Sequence, residues 1–287
     1  MIDYTPYSIK LSGKLIELNT PRVMGILNVT PDSFYSRSRY MERDAIFRRV
    51  EQIIEEGGEI IDIGGCSSRP GASEVSASEE LERVAEAFAI TRSIAPDMPV
   101  SIDTFRSVIV KECNKSFGDF IVNDISGGNL DSKMFETVAQ LDLPYILMHM
   151  RGTPQNMQSL TDYGSAGILT DIISDMANKV SQLNMLGVND IIIDPGFGFS
   201  KTTEQNYFLM SHLEEFHILQ LPLLVGISRK SMIYKVLETT PDNSLTGTTV
   251  LHTTALNKGV HIIRAHDVKE ACECIKICQS LYKNYTI

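Results

Sequence analysis

EIIDIGG, residues 59–65, is an apolar run that stops on Asp62, Gly64 and Gly65. Seven other runs follow the same grammar. RVMGIL ends on Asn28, PVSI on Asp103, Ile121-Val122 on Asn123 and Asp124, and YILM on His149. The run at 191–193 ends on Asp194, LPLLVGI on Ser228, Arg229 and Lys230, and HII on Arg264, followed by His266. A packed core gives no reason for each strand to end in polar residues. A barrel of eight parallel strands does, because its strand-to-helix loops converge on one face and build the active site there. EIIDI, YILM and LLVGI are continuously apolar instead of alternating, as parallel strands covered on both faces are. An open doubly wound sheet would need a glycine-rich nucleotide turn, and neither G-x-G-x-x-G nor G-x-x-x-x-G-K-[ST] occurs. The predicted fold is therefore α/β, a single (β/α)8 TIM barrel with its active site at the C-terminal ends of the strands.

Between the strands the apolar pattern takes a helical period. Residues 41–56 place Ala45, Ile46, Val50, Ile53 and Ile54 on one stripe, and Gly57-Gly58 stops that helix. Ser76 followed by Glu79 is a capping-box signature, with Leu81, Val84 and Phe88 facing inward. Further helices are expected at about 105–115, 131–141, 165–186, 203–216, 230–238, 246–257 and 268–284. Residues 1–20 read as a hairpin-like cover on the barrel bottom. No linker or low-complexity stretch interrupts the chain, so residues 1–287 form one domain.

With 43% apolar and 22% charged residues the composition is that of a globular protein with a sizeable core. The net charge of −10, from 26 basic and 36 acidic residues, argues against nucleic acid or an anionic membrane as partner. An anionic substrate needs local cations held against that background. The N-terminus lacks the pattern of a secretory signal, and no apolar run reaches the length of a membrane span. Five cysteines without a signal suggest reduced thiols in the cytoplasm. Cys272, Cys274 and Cys278 lack a partner C-x-x-C pair, and buried positions of the last helix are favoured over metal ligands.

Several strand ends carry chemistry. Asn28 can coordinate Mg²⁺, bond an anion, or only close a turn. The loop IDIGGCSSRPGAS (61–73) brings Arg69, either a solvated side chain or a clamp for carboxylate or phosphate. Asp103, Asn123 and Asp194 lie among apolar neighbours, where a carboxylate is costly without a partner, and together suit a planar, amide-rich heterocycle. Lys230 can pair with Asp194 and bond a ring nitrogen or carbonyl. Met148 and Met150, beside His149, line a flat ligand or fill the core. Arg264 and His266, on alternate residues of one strand, suit an anion clamp at a barrel end where phosphate commonly binds. His212, His217 and His252 fall on helices and read as surface or packing residues.

Taken together, VMGILNVTPDSF, IDIGGCSSRPGA, SIDTFR, VNDISGG, MHMRGTPQ, DPGFGFSK, PLLVGISRKSM and RAHDV resemble, in order, the signature blocks of the dihydropteroate synthase family of pterin-binding enzymes. The resemblance spans residues 22 to about 270. It implies a transferase of folate biosynthesis that condenses p-aminobenzoate with 6-hydroxymethyl-7,8-dihydropterin pyrophosphate, using Mg²⁺ and releasing pyrophosphate. Carried over, Asp103, Asn123, Asp194 and Lys230 would hold the pterin, with Met148 and Phe199 lining it. Ser68, Arg69, Pro70, Lys230 and Ser231 would surround p-aminobenzoate. Asn28, Arg69, Arg264 and His266 would hold the pyrophosphate, and Asn28 its metal. Arg264, His266, Lys230 and Asp103 would carry the catalysis. A homodimer is implied by the resemblance alone.

Two loops depart from the family. Where it usually reads GGESTRPG this chain reads GGCSSRPG, so Cys66 replaces a carboxylate and Ser68 a threonine; Ser36 stands where an aspartate is usual. These changes leave the pterin residues intact and bear on the loops. Two rival readings are a pterin-binding methyltransferase-like barrel, which has no use for the Ser-Arg-Lys block or the Arg264/His266 clamp, and an inactive pterin-binding paralogue.

Overall fold

A computed structural model describes residues 5–29, 39–66 and 75–283. The chain opens with an antiparallel hairpin, β1 (Ser8–Leu11) and β2 (Lys14–Glu17). Eight parallel strands follow: β3 (Arg22–Asn28), β4 (Ile60–Gly64), β5 (Val100–Asp103), β6 (Ile121–Asp124), β7 (Tyr145–Met148), β8 (Ile191–Asp194), β9 (Leu224–Val225) and β10 (Ile262–Ala265). They are ordered β8-β7-β6-β5-β4-β3-β10-β9, and a parallel bridge between Ile193 and Leu223 brings the two ends together. The result is the expected barrel.

The helices lie close to their expected places. They are α1 (Arg39–Glu55), α2 (Ala77–Ile94), α3 (Ser107–Phe117), α4 (Met134–Leu141), α5 (Ile168–Met185), α6 (Thr203–Ser211), α7 (Ser231–Val236), α8 (Leu245–Asn257) and α9 (Val268–Lys283). Ile46, Val50 and Ile53 of α1 are buried, and Gly57 follows the helix with a φ of +93°. Ser76 caps α2 by accepting from the Glu79 N–H at 3.2 Å. The helix expected over 203–216 ends at Ser211, and the chain continues as a 3₁₀ turn over Leu213–Leu219.

Alternation of side chains along each strand positions the site. Ile61 and Ile63 of β4, Val122 of β6, Ile193 of β8 and Ile263 of β10 pack outward with the helices. Met24, Ile60, Ile121, Ile146, Ile192, Leu224 and Ile262 point inward and form one apolar layer. Ile9, Leu11 and Leu18 join that layer from the hairpin region, so the hairpin plugs the bottom of the barrel as expected. Two residues further along, the next inward positions are Asp62, Asn123, Met148, Asp194 and Arg264. An apolar floor thus carries a polar layer at the barrel mouth.

Candidate active site

Asp62 is fully buried and sits at the centre of the polar layer. Its Oδ2 accepts from Arg264 Nε at 2.6 Å, and its two oxygens accept from Asn123 Nδ2 at 3.2 and 3.3 Å. Arg264 also donates through NH2 to Asp103 Oδ2 at 2.9 Å. Side chains from β4, β5, β6 and β10 therefore meet in one hydrogen-bonded network. Burial pushes the Asp103 carboxyl up to about 7, against the pull of Arg264 and with repulsion from Asp62 adding to the rise. Burial also opposes the charge on Arg264, but Asp62 and Asp103 outweigh it and hold the guanidinium protonated.

This arrangement corrects the expected anion clamp in one respect. Arg264 is not an unpaired cation at the strand tip but carries two carboxylates. Its reach explains why: the side chain points into the barrel, where only acids can offset its desolvation. His266 lies beyond the end of β10; its N–H donates to Ser228 Oγ at 3.2 Å, and its carbonyl accepts from Arg49 NH2 at 2.6 Å. Asn28 ends β3, and its Oδ1 would lie 3.1 Å from a Cβ added at Gly64. That Cβ would also stand 3.9 Å from Asp103 Oδ2, so the absent side chain of Gly64 keeps a gap between Asn28 and Asp103 open.

The expected Asp194–Lys230 contact is a second correction. Lys230 Nζ donates to the Phe197 carbonyl at 2.5 Å and stands 4.6 Å above the Phe199 ring, while Asp194 Oδ1 accepts from the Gly196 N–H at 2.8 Å. The two side chains are coupled through their charges without a direct ion pair. Lys230 instead reaches the Phe197 carbonyl of the DPGFGF loop. Burial brings its amine down to about 8, with Asp194 opposing the fall, and burial raises the Asp194 carboxyl while Lys230 restrains it. Ser231, half-buried, begins α7 next to Lys230.

Met148, Met150, Ile125, Met157 and Phe199 form a separate apolar cluster, with Phe105 and Leu130 partly buried against it. Met148 of this cluster stands in register with Asp194 on the neighbouring strand. Lys201, which the sequence reading passed over, braces the Phe199 end of this cluster. Its buried amine donates to the carbonyls of Phe199 (2.9 Å) and Gly196 (3.0 Å) and lies 3.1 Å from His149 Nδ1. Burial lowers its amine to about 7 and the His149 imidazole to about 2, so His149 is a neutral acceptor. The available signal was a lysine within a glycine-rich apolar loop.

Cys66, Glu80, Thr104 and Arg106 form a cluster of their own. Cys66 Sγ donates to Glu80 at 3.4 Å, Thr104 Oγ1 donates to Glu80 at 2.6 Å, and Arg106 pairs with Glu80 while donating to the Val75 carbonyl at 2.7 Å. Burial and the Glu80 charge push the Cys66 thiol up to about 12, so it serves as a neutral donor. None of these hydrogen bonds touches Asp62, Asn123 or Asp194, although the Glu80 charge adds to the rise at Asp103. Ser36, Ser68, Arg69 and Pro70 lie outside the described residues.

All five cysteines are free; Cys274 and Cys278 are buried in α9 as expected, whereas Cys272 is only half-buried. Among the described residues no cluster of three or more His, Cys, Asp or Glu could hold a metal, and no helix is long and apolar enough to cross a membrane.

A family profile described as pterin binding enzyme matches residues 24–266. The chain belongs to this pterin-binding family. The dihydropteroate synthase of Escherichia coli K12 is 38% identical over 272 residues, covering 93% of this chain and 94% of that protein. That of Synechocystis is 39% identical over 289 residues, covering 98% and 97%. Among solved structures, the Xanthomonas albilineans synthase with 4-aminobenzoic acid superposes with a TM-score of 0.88 at 31% identity, covering 97% of this chain and 99% of that one. The Yersinia pestis synthase in a sulfonamide drug complex gives 0.87 at 37%, covering 96% and 99%. The pterin-binding family thus accounts for the whole barrel, and its match begins in β3 and ends just past β10.

Proposed function

We propose that this chain is a dihydropteroate synthase, a transferase that joins p-aminobenzoate to 6-hydroxymethyl-7,8-dihydropterin pyrophosphate and releases pyrophosphate. The observation that carries this reading is the inward polar layer beside the Met148–Phe199 cluster: acceptors and donors next to apolar side chains, with the Lys230 amine 4.6 Å above the Phe199 ring. In this reading Asp103, Asn123 and Asp194 bond the amide edge of the pterin, and Lys230 bonds a ring nitrogen or carbonyl. The C–O bond of the substrate breaks with its electrons leaving on the pyrophosphate. Arg264 and His266 stabilise that developing charge, which donors placed in advance do most effectively. The resulting cation is delocalised into the dihydropterin; the aromatic amine attacks it, forms the N–C bond and then loses a proton. No covalent enzyme intermediate is needed.

Mg²⁺ belongs to the same proposal. Asn28 offers one neutral oxygen beside Asp103, which suits an ion that takes few protein ligands and completes its shell with water and substrate phosphate. When bound it would supply charge neutralisation on the leaving group. Ser68, Arg69, Pro70, Lys230 and Ser231 are proposed to surround p-aminobenzoate. We further propose a homodimer, supported by exposed Phe208, Val236, Leu237 and Val250 on or beside the adjoining helices α6, α7 and α8. Cytoplasmic residence is supported by five free thiols.

The test is pyrophosphate release from the purified protein. Release that requires both substrates supports the synthase. Binding of the pterin without release would point to an inactive paralogue, and methyl transfer from methyltetrahydrofolate to a methyltransferase-type barrel.

A further inference from the structure

We infer that Asp62 is a positioning residue of this site, holding Arg264 across the barrel mouth and Asn123 beside it before any substrate arrives. The inference rests on the synthase reading for what Arg264 and Asn123 do, but not for where they are. Asp62 has no exposed surface, so it acts through its neighbours and not on the ligand. Its carboxylate is fully engaged, by Arg264 Nε at 2.6 Å and by Asn123 Nδ2 at 3.2 and 3.3 Å. In strand order it reaches from β4 over β3 to β10 on one side and over β5 to β6 on the other. That span is possible only through the barrel interior.

The inward residue below it on the same strand is Ile60, in the apolar floor. An aliphatic side chain at position 62 would extend that floor without desolvating a charge, so the acid is costly unless its partners need it. Arg264 supplies the need. An arginine side chain has several rotatable bonds, and fixing them at the moment of binding would subtract from affinity. Asp62 fixes them beforehand. Nε and NH2 are taken by Asp62 and Asp103, and among the described residues nothing accepts from NH1. One edge of the guanidinium is thus anchored and the other is offered to the site. Asn123, tied to the same carboxylate, is set in register with it.

The experiment uses the full chain and the variants Asp62→Asn, Arg264→Ala and the double variant. Asp62→Asn keeps size and an acceptor oxygen for Asn123 but removes the charge. In wild-type protein the Arg264 Nε–H resonance should exchange slowly with water, and in Asp62→Asn it should exchange quickly. Turnover should fall on the order of 10²-fold, as a small misplacement of a catalytic group can cause. Calorimetric affinity for inorganic pyrophosphate should weaken, while KM for p-aminobenzoate stays unchanged. The double variant should be no slower than Arg264→Ala alone, because Arg264 is then absent and the side chain at position 62 still offers Asn123 an acceptor oxygen. Wild-type kcat and pyrophosphate affinity in folded Asp62→Asn overturn the inference, as do losses that multiply in the double variant. If Asp62→Asn does not fold, the double variant, which removes both charges together, and the wild-type exchange rate decide. A wild-type Arg264 Nε–H exchanging as fast as surface arginines overturns it. Absence of turnover in the wild type would sink the synthase reading instead, leaving the resonance and pyrophosphate measurements to judge Asp62.

Discussion

Arg264 shows how a residue can be legible in type but not in partnership. Its place at a strand end marked it for the site, and the alternation Ile262-x-Arg264 repeats Ile60-x-Asp62, Ile121-x-Asn123 and Ile192-x-Asp194. That repeat could have told which residues share the inner layer. It could not have told that Arg264 would pair with Asp62 and Asp103, because that depends on strand order around a closed sheet. Lys230 repeats the lesson, taking the Phe197 carbonyl where a carboxylate was expected. Arg264→Ala should lower kcat on the order of 10²–10³-fold, the usual loss for one donor to a developing oxyanion, and should weaken pyrophosphate product inhibition in steady-state assays. It also leaves buried Asp62 and partly buried Asp103 without their cation, and removing one partner of a buried pair typically costs roughly 3–5 kcal/mol. Denaturant titration should therefore show a destabilised protein, with partial recovery when Asp62→Asn is added. Asp194→Ala should abolish binding of a pyrophosphate-free pterin, whereas Arg264→Ala should leave it nearly unchanged; calorimetry distinguishes the two roles.

Among the elements, α8 carries a liability unrelated to catalysis. His252 is 1% exposed, and neither ring nitrogen has a hydrogen-bond partner among the described residues. Burial holds it neutral, bringing its imidazole down to about 4, with the Asp267 charge opposing the fall. A depressed folded-state value means the contribution to stability is complete above the unfolded value near 6.5 and is lost as pH falls through about 4. The shift corresponds to at most about 3 kcal/mol. His261, on the bottom of the barrel, is lowered to about 4 by burial and adds to the same limb. Thermal melts should thus fall between pH 6.5 and 4, and His252→Leu should flatten that fall while leaving turnover at neutral pH unchanged. The sequence reading left His252 as a surface or packing residue of a helix, and its burial in α8 makes it a packing residue. Its lack of a partner was not legible, since that depends on how α8 packs against its neighbours.

For the whole molecule the fold was legible almost entirely, because eight apolar runs ending in polar tips admit few closed arrangements. The nine helices among the described residues followed from the helical period of the segments between those runs. What a linear reading left out was the cross-barrel network, which exists only once closure brings β4, β6 and β10 to face one another. One prediction belongs to this scale. The loop carrying Ser68 and Arg69 is assigned to both p-aminobenzoate and the anion, so p-aminobenzoate should bind poorly to the free protein and well when pyrophosphate is present. Equal calorimetric affinities with and without pyrophosphate would rule that out. The central claim, that the inward polar layer performs synthase chemistry, is tested most directly by product analysis of wild-type protein beside folded Asp194→Ala. The account predicts that wild type forms 7,8-dihydropteroate and an equal amount of pyrophosphate only when both substrates are supplied, and that the variant forms neither. Pyrophosphate release without p-aminobenzoate, or product from the variant at the wild-type rate, would contradict it.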